Sequence, residues 1–94
     1  MVLIGREKLQ QFTRRHANAR SWVKAWVAEV QSVKWQGPQD IKERYANASF
    51  LPDNVVIFNI KGSGYRLEAQ VAYNTGGVNV KWVGTHAEYD KRHK

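Results

Sequence analysis

The apolar period of this chain changes from 3.6 to 2 near residue 55, so neither an all-helical nor an all-strand fold satisfies both halves. In residues 21–34, SWVKAWVAEVQSVK, the apolar positions Trp22, Val23, Trp26, Val27, Val30 and Val33 recur at helical spacing. In residues 65–73, YRLEAQVAY, they recur at every second position. Tyr65, Leu67, Ala69, Val71 and Tyr73 share one face of that strand, and Arg66, Glu68 and Gln70 share the other. The architecture this predicts is α+β, with N-terminal helices packed on one face of a small antiparallel β-sheet and a short C-terminal helix.

Shorter signals fill in the order. Residues 2–4, VLI, read as a very short strand ended by Gly5, and such a strand needs a partner later in the chain. Leu9 and Phe12 mark a narrow stripe on an exposed helix from Arg6 to His16, interrupted at Asn18. Ser21 is the expected N-cap of the tryptophan helix. QGPQD breaks the pattern, DIKERYA forms a short third helix, and a loop runs through Pro52 and Asn54. VVIFNI (55–60), the 65–73 run and VNVKWV (78–83) then make an antiparallel meander joined by the glycine turns KGSG and NTGG.

Register places these strands in space. If KGSG pairs Ile60 with Tyr65, then Phe58 faces Leu67, Val56 faces Ala69, and Asn59 faces Arg66 on the polar side. If NTGG pairs Tyr73 with Val78, then Val71 faces Val80, Ala69 faces Trp82, and Arg66 lies beside Thr85. A two-residue shift would keep the faces and move the pairs. A one-residue slip would send apolar side chains to water, so these registers are favoured, and in them Arg66, Lys61 and the segment THAEYD, with His86, Tyr89 and Asp90, converge at one end of the sheet's polar face.

The charge suits that convergence. Fifteen Lys and Arg against eight Asp and Glu give +7, which favours a polyanionic partner, nucleic acid first. Residues 1–54 carry nine basic and five acidic groups, and residues 55–94 six and three, so no detachable tail accounts for the excess. The length predicts a single domain over residues 1–94. The absence of cysteine rules out disulfides and thiolate chemistry, and His16 and His93 have no partners at metal-ligand spacing. The initial apolar run is too short for a signal peptide and no stretch reaches membrane-spanning length, so a soluble cytoplasmic protein without membrane contact is expected.

Paired cations neutralise a phosphodiester, and histidine and tyrosine move protons. Lys61, Arg66, Lys81, Lys91 and Arg92 are the candidate RNA-contacting cations, with Lys81 secondary to the others. Arg66, His86, Tyr89, Asp90 and Lys61 are the candidate catalytic groups. An RNA 2′-OH attacking its own phosphate gives a cyclic phosphate and a 5′-hydroxyl without a metal. Two plainer readings stand alongside. THAE, with Thr85 and Glu88, reads as a helix capping box, and Tyr89 as a ring packed on the sheet. Trp22 and Trp26, at i and i+4 among valines, read as core. The residues alone therefore leave open an RNA-cleaving enzyme and a non-catalytic RNA- or ribosome-binding domain. A DNA-binding regulator is weaker, because no helix-turn-helix signature is visible.

FNIKGSGYRL, followed about one strand later by WVGTHAEYD, with the early tryptophan helix and DIKERY, resembles the HigB family of bacterial toxins within the RelE-like superfamily. The resemblance implies a toxin of a type II toxin–antitoxin pair, an mRNA interferase that cleaves translated mRNA on the ribosome near the decoding site of the small-subunit RNA. It implies a HigA-like helix-turn-helix antitoxin, with operator DNA reached only through that antitoxin, and no cofactor. By the same resemblance Arg66 stabilises phosphate and Lys61 supplies charge or a proton. His86 stands where many relatives carry Arg, Tyr89 matches a C-terminal helix tyrosine, and Asp90 matches its acidic companion.

Overall fold

The structure is a computed structural model and describes residues 1–60 and 64–92. Lys61 and most of the KGSG turn, and His93, lie outside the described residues. In chain order the elements are β1 (Val2–Ile4), α1 (Arg6–Arg15), a 3₁₀ turn (Ala17–Ala19), α2 (Arg20–Ser32), α3 (Pro38–Arg44), β2 (Ser49–Leu51), β3 (Val55–Ile60), β4 (Tyr65–Ala72), β5 (Gly77–Thr85) and α4 (His86–Arg92). The sheet order is β1-β5-β4-β3-β2.

The α+β expectation holds, and the sheet is larger than the three-stranded meander. β1 finds its partner by pairing in parallel with Gly77–Asn79, which makes the sheet mixed. Gly5 turns the chain from β1 into α1 at φ 90°, and a Cβ there would lie 2.9 Å from the Val80 carbonyl oxygen. Left-handed geometry and close approach together demand glycine at that point. β2 occupies residues expected to be loop: Ser49–Leu51 pair with Val55–Ile57, and Asp53 and Asn54 take positive φ in the hairpin between them. The 3₁₀ turn runs directly into α2, whose N-cap is Ala19 without a side-chain bond, so Ser21 lies inside the first helical turn and caps nothing.

Helices and sheet meet in one apolar layer. Phe58 of β3 is its centre, with ring centroids 5.4 Å from Trp26, 6.3 Å from Trp35 and 5.2 Å from Tyr45. Trp26 is 1% exposed, and Trp22 stacks half-buried against it. Leu67, Ala69, Val71, Val78 and Val80 supply the sheet side, all fully buried.

The β3–β4 register is the expected one, including Ile60 with Tyr65 and Asn59 with Arg66. The β4–β5 register differs. The ladder leaves the turn two residues away from expectation, with Val71 opposite Val78 and Ala69 opposite Val80. A β-bulge then leaves Lys81 without a partner, so Glu68 faces Trp82 and Arg66 faces Gly84, not Thr85. An extra residue reverses the faces beyond it. Val83 packs on the core in the place expected for Trp82, and the indole moves to the polar face.

Candidate active site

α4 begins where β5 ends, and its start is fixed from two sides. The Thr85 hydroxyl accepts the Glu88 amide at 3.1 Å while Glu88 Oε1 accepts the Thr85 amide at 2.9 Å, the expected capping box. The His86 amide donates to the Gly64 carbonyl at 3.0 Å, tying α4 to the β3–β4 turn. These contacts aim His86, Tyr89 and Asp90 back over β4 and β5.

Hydrogen bonds to the Thr85 backbone and side chain hold the Glu88 carboxyl below its ordinary value of 4.5, against a small opposing effect of burial. A depressed folded value stabilises fully above the ordinary value and loses its contribution as pH falls through the lowered one. The unfolding midpoint of the wild type therefore falls from about pH 6 to pH 3 with a component that Glu88→Gln lacks. An identical pH profile in that variant would contradict the assignment. Thr85→Ala removes about 1 kcal/mol from the same helix.

Arg66 and His86 meet above this helix. Arg66 Nη2 lies 3.1 Å from His86 Nδ1, and His86 Nε2 lies 3.0 Å from Asp90 Oδ2. A guanidinium only donates, so Nδ1 is the acceptor and the neutral imidazole carries its proton on Nε2, which donates to Asp90. Arg66 Cζ stands 5.2 Å from the Tyr89 ring centroid, a cation–π distance. Arg66 is half-buried, not directed wholly to water as its place on the polar face suggests. Its Nε is buried with no hydrogen-bond partner among the described residues. The remaining Nη hydrogens are the part of the fork suited to phosphate oxygens.

Four sequence candidates thus come together: Arg66, His86, Tyr89 and Asp90. Lys61 lies outside the described residues. Arg92 joins the edge of the cluster, with Nη2 3.4 Å from Glu68 Oε2 and Cζ 5.3 Å from the Trp82 ring centroid. Lys91 is exposed on α4, and Lys81 projects from the bulge into a separate groove beside α1. Asn59, although opposite Arg66, donates from Nδ2 to the Asn47 carbonyl at 2.7 Å. Sequence reasoning missed the burial of Glu68, which is 8% exposed, and the relocation of Trp82. A signal for the second was present, because Val80 and Val83 are three apart, which a regular strand cannot place on one face.

Fold and site define a class: a basic α+β protein whose sheet is covered by helices on one face and carries an arginine–histidine–aspartate–tyrosine cluster on the other. The chain belongs to the HigB toxin family, the RelE-like toxic component of a toxin–antitoxin system, whose family pattern matches residues 19–92. A search of curated proteins gives no match. Membership implies an antitoxin partner. Among the described residues no helix is long and apolar enough to cross a membrane.

Proposed function

We propose that this toxin is an mRNA interferase: an endoribonuclease that cleaves translated mRNA on the ribosome and is neutralised by a HigA-like antitoxin. The observation that carries the reading is the chain of contacts Arg66–His86–Asp90, in which one guanidinium, one imidazole and one carboxylate are already aligned. Arg66 grips the scissile phosphate and neutralises charge that grows as phosphorus becomes pentacoordinate. Turning toward that phosphate withdraws Arg66 from Nδ1 and uncovers a base whose other nitrogen is held by Asp90. The proton of the 2′-OH passes to Nδ1, the 2′ oxygen bonds to phosphorus, and the 5′ oxygen leaves with a proton from Tyr89 or solvent. A cyclic phosphate and a 5′-hydroxyl result.

The ribosome supplies substrate orientation, and the +7 charge suits a ribosomal RNA surface. The product ends test the chemistry. Cleaved RNA is expected to accept a 5′ phosphate from polynucleotide kinase without prior phosphatase treatment; ends already phosphorylated would exclude attack by the 2′-OH.

A further inference from the structure

The bulge at Lys81 gives β5 a feature the proposed reaction does not use. Trp26 and Trp35 are buried in the layer between helices and sheet, with Trp22 packed against it, whereas Trp82 is turned onto the polar face and half-buried there. An indole outside the core forgoes apolar burial that Val83 takes in its place. Its seat is shaped for it: a Cβ on Gly84 would stand 2.6 Å from Trp82 Cζ2 and 2.8 Å from Cη2, so only glycine leaves the ring that position.

The surroundings are cationic and open. β1 pairs with β5 only over Gly77–Asn79, so the later half of β5 runs beside α1 across a groove of about 240 Å³. Lys8 and Arg15 of α1, Lys81 of the bulge and Trp82 line it, with Glu88. A second, wider groove shares Arg15, Trp82 and Glu88 and adds Lys91 and Arg92. Glu88 is the one carboxylate among these lining residues, and its Oε1 is engaged by the Thr85 amide. The indole also adjoins the cluster, its centroid 6.0 Å from that of Tyr89, which in turn lies 5.2 Å from Arg66 Cζ.

Building on the proposed function, we infer that the Trp82 groove holds one nucleotide of single-stranded RNA next to the nucleotide that is cleaved. Its base stacks on the indole where the planar Arg92 guanidinium now lies, because a nucleobase offers a flat surface to the same ring. Its phosphate meets Arg15 and Lys81, which flank the ring from two elements. Arg92 moves aside and adds a further cation. The bulge is thus the device that presents an aromatic platform beside the reacting groups. The nucleotide comes either from mRNA or from ribosomal RNA, which offer the same chemistry.

Two binding measurements on the full chain separate these sources: a short unstructured RNA blocked by 2′-O-methylation, and co-sedimentation with ribosomes free of mRNA. Trp82→Ala is expected to weaken binding about tenfold or more in the first if the base belongs to mRNA, and in the second if it belongs to ribosomal RNA. Trp82→Phe restores most of the loss, and Gly84→Ala, which pushes the indole from its seat, reproduces it. Arg15→Gln, on an exposed helix face, lowers the salt dependence of binding by about one counterion. Wild-type affinity of Trp82→Ala in both measurements, equal losses in Trp82→Phe and Trp82→Ala, or an unchanged salt slope in Arg15→Gln would each overturn the inference. Should Arg66→Ala still cleave while Trp82→Ala binds weakly, the proposed reaction fails and the nucleotide site stands.

Discussion

Arg66→Ala slows RNA cleavage by about a thousandfold, about 4 kcal/mol of transition-state stabilisation. Two contacts and one geometric property lie behind this figure. Arg66 is the cation that meets His86, it stacks over Tyr89, and its guanidinium, at the centre of the cluster, can bridge two phosphate oxygens. Arg66→Lys recovers little, because an ammonium keeps the charge and loses the fork. Stability changes by less than about 1 kcal/mol, since the residue is on the polar face and its truncation leaves His86 Nδ1 accessible to water. Single-turnover cleavage and chemical denaturation of the same preparations check both halves. A variant that loses activity and stability together would reduce Arg66 to a structural residue.

Trp26→Ala has the largest expected effect on stability, about 3–5 kcal/mol, a large part of what a protein of this size possesses. The indole is 1% exposed, stacks with Trp22 and meets Phe58 edge-on, so its removal leaves a cavity where α2 joins β3. Its Nε1–H has no acceptor among the described residues, and Trp26→Phe removes that unpaired donor along with part of the volume. The phenylalanine variant therefore loses well under half as much. Denaturant midpoints of the two variants test this ordering, and equal losses would show that the ring's extra volume, not its general presence, holds the layer together.

How far the sequence reveals this arrangement depends on which residues signal their partners. β3 and β4 were legible with their register because pairing across the four-residue KGSG segment sets Val56, Phe58 and Ile60 against Ala69, Leu67 and Tyr65, and the structure keeps that register. β4 and β5 were not, because a two-residue shift keeps every valine on its face and the pattern is silent about it. The bulge then reversed Trp82, which sequence alternation had put in the core. The shift and the bulge partly cancel at the site: Arg66 lands opposite Gly84, one residue from expectation, and still reaches His86. β2 escaped notice because three exposed residues at a sheet edge carry no periodic burial. The capping box was readable since both of its partners lie within one turn, whereas Ser21 misled because the 3₁₀ turn before α2 has no sequence signature of its own.

The central claim is that the Arg66–His86–Asp90 cluster cleaves mRNA during translation. Mapping new mRNA 5′ ends by primer extension in a reconstituted bacterial translation reaction tests it most directly, with ribosome-free mRNA and the Arg66→Ala protein in parallel. Cuts that require both ribosomes and Arg66 are the predicted result. Inhibited translation with intact mRNA would contradict it and leave the cluster as a phosphate-docking surface without chemistry of its own.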